Sequence, residues 1–418
     1  MTSLSGRNGE IFNVVETYPM HLTQTAFWTI VGLILFLASV PQAQQDPGPR
    51  SGAGAGGMRS GLSPAQQALF QQGRAEFVEE EEVEEGLGPR FNLDSCAGCH
   101  AQPAVGGTSP RRNPQVAFLT RRGGSTAQLP RFVQEFGPMV EIRFKRDETV
   151  HQLFVIEEGD CQLKVGPFPP GQVTLRIPTP VFGLGLMEDI SDGDIVGQLS
   201  QDRPLKQLRG IAGMPQQVVD GRIGRFGWKA QHGSVLAFAG EAYNVEMGIT
   251  NELQRVELER DPSCQFADVP NSVAEEGQPS AVELFAAFMR GLAGPTPVPA
   301  NHPGRVVFDQ VGCNLCHTPS LGGVPLYSDL LLHHMGAGLD DSITQGVAEG
   351  DQFRTAPLWG LGQRLFFLHD GRTEDLIEAI EAHASRGSEA NGVIAEFEKV
   401  RKQDPDAIQA LLEFLRSL

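Results

Sequence analysis

Most of the chain carries the apolar spacing of helices. Ser63 followed by Pro64 supplies an N-cap and a proline at the first helical position, which predicts a helix to about Val78. A second helix is indicated where apolar residues recur every three or four positions, at Val282, Phe285, Ala286 and Met289. Further helices are predicted at about 304–312, 373–385, 389–402 and 405–417. The chain is therefore expected to be mainly α.

One stretch, from about 112 to 180, has the alternation of strands instead. Apolar and polar residues alternate twice in it, at Val140, Ile142 and Phe144 and again at Val173, Leu175 and Ile177. Asp220-Gly221 indicates one more tight turn. We therefore expect a small β insertion within a helical chain.

Proline- and glycine-rich segments divide the chain. The segment 44–62 is typical of a flexible linker, and the proline-rich connector 295–303 is the strongest domain boundary. These boundaries predict an N-terminal domain at 63–294, which contains the β insertion, and a C-terminal domain at 295–418.

The N-terminal segment 1–43 is typical of a signal peptide. Its apolar run, Ala26 to Val40, carries no charge and is shorter than the roughly 20 residues that a membrane span requires. The part before it is barely basic, and Met20 is an alternative start. We expect an exported, periplasmic protein with no membrane span in the mature chain, or an anchored one if this segment is not cleaved.

The formal net charge is −18, which disfavours nucleic acid as a partner because phosphates repel it. A cationic or dipolar protein would be attracted by such a field. Net acidity that confers only solubility is the alternative.

The spacing C-x-x-C-H occurs twice, at 96–100 and at 313–317. It is the attachment motif of c-type haem, in which two thiols bind the haem vinyl groups and the adjacent histidine ligates the iron. A zinc site would need further C-x-x-C pairs, and a thioredoxin-like dithiol would need a βαβ context. We therefore predict two covalently bound haem c groups. The residues involved are Cys96, Cys99, His100, Cys313, Cys316 and His317.

The two remaining cysteines, Cys161 and Cys264, could form a disulfide in an oxidising compartment. Two buried thiols are the alternative, and the sequence leaves both open.

Several motifs carry a resemblance to a known family. Together with the two pentads, the segments Phe353 to Gly360 and Phe367 to Arg372 resemble the di-haem cytochrome c peroxidase superfamily. Gly183 to Glu188, Gly224 to Ala230 and Glu246 to Thr250 are similar to its di-haem oxidoreductase branch, which carries the label thiol oxidoreductase. The resemblance runs from about residue 65 to 417, and no residue argues for a thiol substrate.

This resemblance implies two cytochrome c-like domains, with one haem each, that face each other. One haem would react with hydrogen peroxide or another small oxidant, and the other would relay electrons. The donor would be a soluble electron carrier of the cytochrome c or cupredoxin type. Calcium, which such proteins often hold between their domains, would be bound by Asp189, Asp192 and Asp194, although these also fit a solvated turn.

His383 is the candidate sixth ligand of the second haem. It follows Leu376, Ala379 and Ile380 on one apolar helix face, at the place where the superfamily holds Met or Tyr. A histidine at the edge of the core is the alternative. His333, His334 and Met335 are rival ligands, and His369 is expected beside this haem as a hydrogen-bond donor.

The first haem has no histidine close after His100, since the next is His151. Its iron is therefore expected to be open to peroxide or capped from a distance, with Met247 and His232 as candidate caps. Glu188 and Glu246 are the candidate catalytic acids. The alternative for Glu188 and Glu246 is a helix-end or surface carboxylate, and the alternative for Met247 is a core methionine.

Trp228 is the candidate electron relay between the haems, and a core tryptophan is the alternative reading. The function expected from these features is that of a peroxidase-like di-haem oxidoreductase. A pure electron-transfer cytochrome, or an enzyme that oxidises a protein or organic substrate, is the alternative.

Overall fold

A computed structural model describes residues 44–51, 54–145, 147–157, 162–166, 168–169, 171–258, 269–296 and 301–418. The predicted signal peptide, Cys161 and Cys264 lie outside these ranges. Within them, no helix is long and apolar enough to cross a bilayer.

Helices dominate the described residues, which confirms the mainly α prediction. The α-helices are α1 Pro64–Val78, α2 Cys96–Cys99, α3 Pro114–Arg121, α4 Leu184–Glu188, α5 Asp192–Gly197, α6 Arg203–Arg209, α7 Val235–Met247, α8 Ala281–Gly291, α9 Pro303–Val311, α10 Leu376–Glu381, α11 Asn391–Gln403 and α12 Pro405–Ser417. The strands are β1 Arg90–Phe91, β2 Glu141–Phe144, β3 Asp147–His151, β4 Phe154–Glu157, β5 Gln162–Val165, β6 Val173–Arg176, β7 Leu332–His334 and β8 Gln352–Arg354.

Helix α1 begins as the sequence predicts. The Ser63 side chain accepts a hydrogen bond from the Gln66 backbone N–H, the Gln66 side chain accepts one from the Ser63 N–H, and Pro64 occupies the first turn. Its buried face, with Phe70 and Phe77, packs on α8. This pair of helices forms one wall of the first core.

The strands form three small antiparallel sheets. Their orders are β1-β4-β5, β3-β2-β6 and β7-β8. In the second sheet Ile142 pairs with Leu175, so the two alternating stretches of the sequence are hydrogen-bonded neighbours. The predicted insertion also contains α3, and its strands begin only at Glu141. The β7-β8 pair lies outside the predicted insertion.

Two large hydrophobic cores organise the described chain, beside a small third cluster of Ala230, Leu332 and Ala348. The first extends from Phe70 to Phe366 and encloses the first pentad, while the second extends from Ile211 to Leu418 and encloses the second. Each core takes residues from both sides of the connector 295–303. The division into two cytochrome c-like domains stays a prediction.

Candidate functional site

The first pentad folds as one turn of helix. Helix α2 covers the two cysteines, and the His100 N–H donates to the Cys96 carbonyl at 2.9 Å. His100 Nδ1 lies 2.9 Å from the Gly107 carbonyl oxygen. A Cβ on Gly107 would lie 1.9 Å from the Gln102 carbonyl oxygen, so this loop requires glycine there. The turn places both thiols and the imidazole at one site.

The second pentad has the same local arrangement. A 3₁₀ turn covers Cys313–Leu315, and the His317 N–H donates to the Cys313 carbonyl at 2.9 Å. His317 Nδ1 lies 3.2 Å from the carbonyl oxygen of Tyr327. Tyr327 has a φ of 56°, a left-handed conformation that non-glycine residues adopt only under strain. The fold therefore holds a strained residue that orients His317.

His383 shares this arrangement with His100 and His317. Its Nδ1 lies 2.7 Å from the Ala379 carbonyl oxygen. A histidine that donates from Nδ1 keeps its Nε2 lone pair for a metal. Burial lowers the pKa of all three rings, and for His317 the neighbouring His383 adds to the effect and the pKa falls to about 4. Burial therefore favours the neutral form of all three rings, and His383 acts electrostatically on His317.

The cysteines of the pentads do not have the character of redox dithiols. Burial raises the pKa of Cys96 and Cys99, and Glu81 at Cys96 and Glu246 at Cys99 add to the effect. Burial also raises the pKa of Cys313 to about 12. A reactive dithiol needs a lowered pKa. These surroundings disfavour thiol–disulfide chemistry as the role of either pentad.

A cavity of about 1020 Å³, which is open to solvent, lies against the first pentad. Its walls include Cys96, Cys99 and His100. Its apolar walls include Phe77, Leu93, Met139, Ile177, Val181, Phe285 and Met289. The cavity fits a large, mostly apolar group attached to the two thiols.

Charged groups also line this cavity. Arg143 is buried there with the carboxylates of Glu141, Glu241 and Glu246 around it. Burial by itself lowers the pKa of Arg143, but these carboxylates raise it above its ordinary value. The cavity therefore has a mostly apolar wall, in which three carboxylates lie around the Arg143 guanidinium.

Glu246 and Met247 reach the cavity from the end of α7. The Glu246 carboxylate accepts a hydrogen bond from the Asn92 amide at 3.3 Å, and its carbonyl accepts one from the Asn92 N–H at 2.7 Å. Met247 Sδ lies 3.9 Å from Cys96 Sγ. Of the candidate acids and caps, the structure brings these two to the first pentad.

Glu188 and His232 are placed elsewhere among the described residues. Glu188 accepts hydrogen bonds from the Val235 N–H at 2.8 Å and from Arg290 Nη2 at 3.0 Å. Burial would raise its pKa, but these donors hold the pKa below its ordinary value. His232 contacts Glu241 through Nε2. Neither side chain belongs to the cavity wall.

Residues 171–418 match the model of a family described as "Di-haem oxidoreductase, putative peroxidase". The chain belongs to this di-haem oxidoreductase family. The match confirms the resemblance drawn from the sequence motifs, and the family description implies haem cofactors and oxidoreductase activity. The matched range contains the pentad at 313–317, whereas the pentad at 96–100 precedes it. A comparison with curated proteins finds no match.

In this di-haem oxidoreductase, the rival ligands near the second pentad are engaged with other groups. His333 places Nε2 3.0 Å from Asp329 and Nδ1 2.8 Å from Glu389. Burial lowers its pKa, but Cys316 and Asp329 raise it well above its ordinary value. Both ring nitrogens of His333 therefore face carboxylates. His334 Nδ1 lies 2.9 Å from Asp351.

Aromatic rings connect the first cavity to β8. Trp228 lines the cavity and donates from Nε1 to the Ile177 carbonyl at 2.9 Å. Its ring centroid lies 6.3 Å from that of His369, which stacks on Phe353 at 4.4 Å. Burial lowers the pKa of His369 to about 4. His369 therefore lies between the tryptophan and the strand, as a neutral ring.

The aspartates proposed for calcium take part in capping and ion pairs. Asp192 contacts the Arg225 guanidinium and accepts from the Ile223 N–H at 3.1 Å. Asp194 accepts from the Ser191 hydroxyl at 2.7 Å, and Asp189 lies 3.6 Å from Arg59. Calcium at this turn stays a prediction.

Glu81 and Tyr243 are neighbours of the first cavity that the sequence did not distinguish. Tyr243 lines the cavity and donates to the Glu81 carboxylate at 2.8 Å. The sequence places Glu81 in an acidic run, Glu79 to Glu85, that is expected to be solvated, but Glu81 is buried. Burial raises its pKa to about 7, and the hydrogen bond from Tyr243 opposes this. Only the position of Tyr243 on α7 reveals this pair.

Glu81 should make stability depend on pH. Because its folded-state pKa of about 7 exceeds the ordinary 4.5, its contribution is complete below about pH 4.5 and is lost as pH rises through 7. We expect the wild type to lose up to about 3 kcal/mol of unfolding free energy over this range relative to Glu81→Gln. Denaturant unfolding of both proteins across pH measures the difference. Glu80→Gln, at an exposed neighbour, is the control, and parallel curves for wild type and Glu81→Gln would contradict the prediction.

Proposed function

We propose that this di-haem oxidoreductase is an exported peroxidase-like enzyme with two covalently bound haem c groups. In this proposal, the haem at 96–100 is the reactive one and the haem at 313–317 relays electrons to it. The observation that carries the proposal is the difference between the two histidine environments. His317 has His383 as a neutral neighbour, whereas His100 is the one histidine in the described wall of the first cavity.

The residues fit two haems of unequal coordination. Each pentad presents two thiols and an imidazole whose Nδ1 is held by a backbone carbonyl. At the second pentad, His383 would supply a further imidazole to the iron, which would close that iron to substrates. When bound, the haems would supply iron that exchanges single electrons and, where one coordination position is open, cleaves the O–O bond of a peroxide.

Glu246 would hold and move the proton in the first cavity. A general base takes the proton of the incoming peroxide, and the same group returns it to the oxygen that leaves. Glu246 accepts a hydrogen bond from the Asn92 amide and lies with Glu141 and Glu241 around Arg143 in the wall of the cavity. The Arg143 guanidinium would stabilise negative charge that develops nearby.

Trp228, His369 and Phe353 offer a path for electrons towards the first cavity. Their rings follow one another at centroid distances of 6.3 Å and 4.4 Å. The external donor would be a soluble electron-carrier protein of the cytochrome c or cupredoxin type, attracted by the net charge of −18.

A pure electron-transfer cytochrome is the second candidate, and Met247 is the observation that favours it. Its Sδ lies 3.9 Å from Cys96 Sγ, within reach of the same cavity. A thioether bound to the first iron would close that iron and give the His/Met ligation of electron-transfer cytochromes.

Absorption and EPR spectra of the purified protein test the proposal. We expect two haems per chain, one low-spin and one high-spin in at least one redox state, with spectral change on adding hydrogen peroxide. Turnover with a reduced cytochrome c as donor should follow. Two low-spin irons in every redox state, together with a spectrum that peroxide leaves unchanged, would establish the electron-transfer alternative instead.

A further inference from the structure

Two arginines, Arg354 and Arg364, lie together in a small cavity beside Trp228. The cavity measures about 460 Å³, and both guanidiniums line it. Arg354 lies on β8 and is buried, and Arg364 directly follows the 3₁₀ turn Leu361–Gln363. Burial lowers the pKa of both to about 10, and at Arg354 the charge of Arg364 adds to the effect. Two like charges therefore act on each other in this cavity, where Arg354 is buried and Arg364 is partly buried.

Neither guanidinium forms a direct ion pair with a carboxylate among the described residues, although the charge of Asp329 raises the pKa of Arg354 and so opposes the effect of burial. Arg354 donates to the carbonyls of Gly227 at 2.9 Å and Thr355 at 3.1 Å. Arg364 donates from Nη2 to the Pro357 carbonyl at 2.8 Å, and its buried Nε has no hydrogen-bond partner. A buried polar atom without a partner is costly, and a buried cation without an anion more so.

The other buried arginines in the described chain show what is missing. Each of them contacts a carboxylate. The pairs are Arg143 with Glu141, Arg176 with Asp341, Arg225 with Asp192 and Arg416 with Asp46. Arg354 is the exception among the buried arginines, and it lies beside a second unpaired guanidinium. The fold therefore leaves two cations that an anion outside the described chain would satisfy.

This cavity adjoins residues that contact each of the two pentads. It shares Thr179, Gly227, Trp228 and Phe238 with the wall of the first cavity. Gln102, two residues after His100, donates to the carbonyl of Gln363 at 3.1 Å, next to Arg364. On the other side, β8 pairs with β7, in which His333 Nδ1 lies 3.8 Å from Cys316 Sγ. The two arginines are therefore connected to both pentads through residues that contact each other.

A carboxylate is the anion that this geometry fits. The planar guanidinium presents its donors as a fork that matches a carboxylate, and two such forks can hold one or two of them. Haem carries two propionate carboxylates on one edge. We propose that Arg354 and Arg364 bind the propionates of a haem attached at one of the pentads. This inference rests on the proposed function to the extent that haem is attached.

The two arginines should also influence the reduction potential of the haem that they bind. A positive charge next to a haem favours the reduced iron, because reduction adds an electron. Replacing either arginine with glutamine should therefore lower the reduction potential of the haem whose propionates it binds. The potential of the other haem should change less.

The experiment compares the full-length wild type with Arg354→Gln, Arg364→Gln and the double variant. Covalent haem content is first measured by mass spectrometry, and each haem is then titrated in a spectroelectrochemical cell with infrared difference spectra. We expect two haems in every variant, a lower potential for one of them, and an altered propionate band. Arg354→Lys, which keeps the charge, should recover most of the potential.

Matched variants identify the haem and the cause. Arg225→Gln removes a guanidinium from the same cavity that is already paired with Asp192, and it should leave the propionate band in place. Single-haem proteins, made by Cys96→Ala with Cys99→Ala or by Cys313→Ala with Cys316→Ala, show which haem responds.

Two outcomes would overturn the inference while the proposed function stands. One is a set of variants with two haems and with the potentials and propionate bands of the wild type. The other is a wild-type protein whose potentials shift on titration with phosphate or acetate, which would mean that the arginines bind free anions. A wild-type chain without covalent haem would instead remove both proposals.

Discussion

Replacing His383 with alanine is expected to turn one low-spin haem into a high-spin one. His383 Nδ1 lies 2.7 Å from the Ala379 carbonyl oxygen, and the Ser388 hydroxyl donates to the carbonyl of His383 at 2.6 Å. Next to Ser388, the Glu389 N–H donates to the His334 carbonyl at 2.8 Å, so the loop that follows His383 is anchored to β7. Loss of the imidazole would leave the iron at His317 with one axial ligand.

EPR and visible absorption spectra of the ferric protein measure this change. His334→Ala is the matched control, because His334 is a nearby histidine whose Nδ1 faces Asp351. Its spectra should match those of the wild type. Free imidazole should restore the low-spin signal to His383→Ala. If His383→Ala keeps the wild-type spectrum, His383 is not a ligand.

Replacing Glu246 with glutamine should slow peroxide turnover by roughly 10²–10⁴-fold, the usual effect of removing a general acid–base group. Glutamine keeps the size of the side chain and can still accept the hydrogen bond from Asn92, which the structure gives at 3.3 Å. It cannot take up the proton of the peroxide. The loss should therefore appear in the reaction with peroxide and leave the spectra of the resting haems unchanged.

Stopped-flow measurement of the reaction with peroxide tests the role of Glu246. Glu188→Gln is the control, because Glu188 also occurs in a family-like motif but contacts Arg290 and the start of α7 instead of the cavity. It should keep wild-type turnover and lose about 1–2 kcal/mol of unfolding free energy with its charged hydrogen bonds. Equal turnover in wild type and Glu246→Gln would exclude Glu246 as the acid.

The features that the sequence could predict are those whose physics is local. The C-x-x-C-H spacing is a helical turn, so the thiols and the imidazole converge without help from the rest of the chain. The start of α1 at Pro64 follows from Ser63 and Gln66, which lie within one turn of it. The final helix is predicted at about 405–417 and is found at Pro405–Ser417.

The features that only the tertiary structure decided depend on residues far apart in the sequence. Glu188 and Glu246 both lie in family-like motifs, but their surroundings differ. Arg290 contacts Glu188, whereas Glu246 lines the cavity at the first pentad. His333 is a rival ligand by its sequence position, and only the structure shows that its ring lies between Asp329 and Glu389.

Arg354 is a further example. It lies in the motif Phe353 to Gly360, but the motif does not show that its side chain is buried without a carboxylate in a direct ion pair. The sequence by itself thus determined that the chain is mainly helical, that it contains two C-x-x-C-H turns and which family the chain resembles. The tertiary structure decided which charges face a cavity and which are already paired. The reason is that pairing and burial depend on long-range contacts between side chains, and a sequence motif records only the local ones.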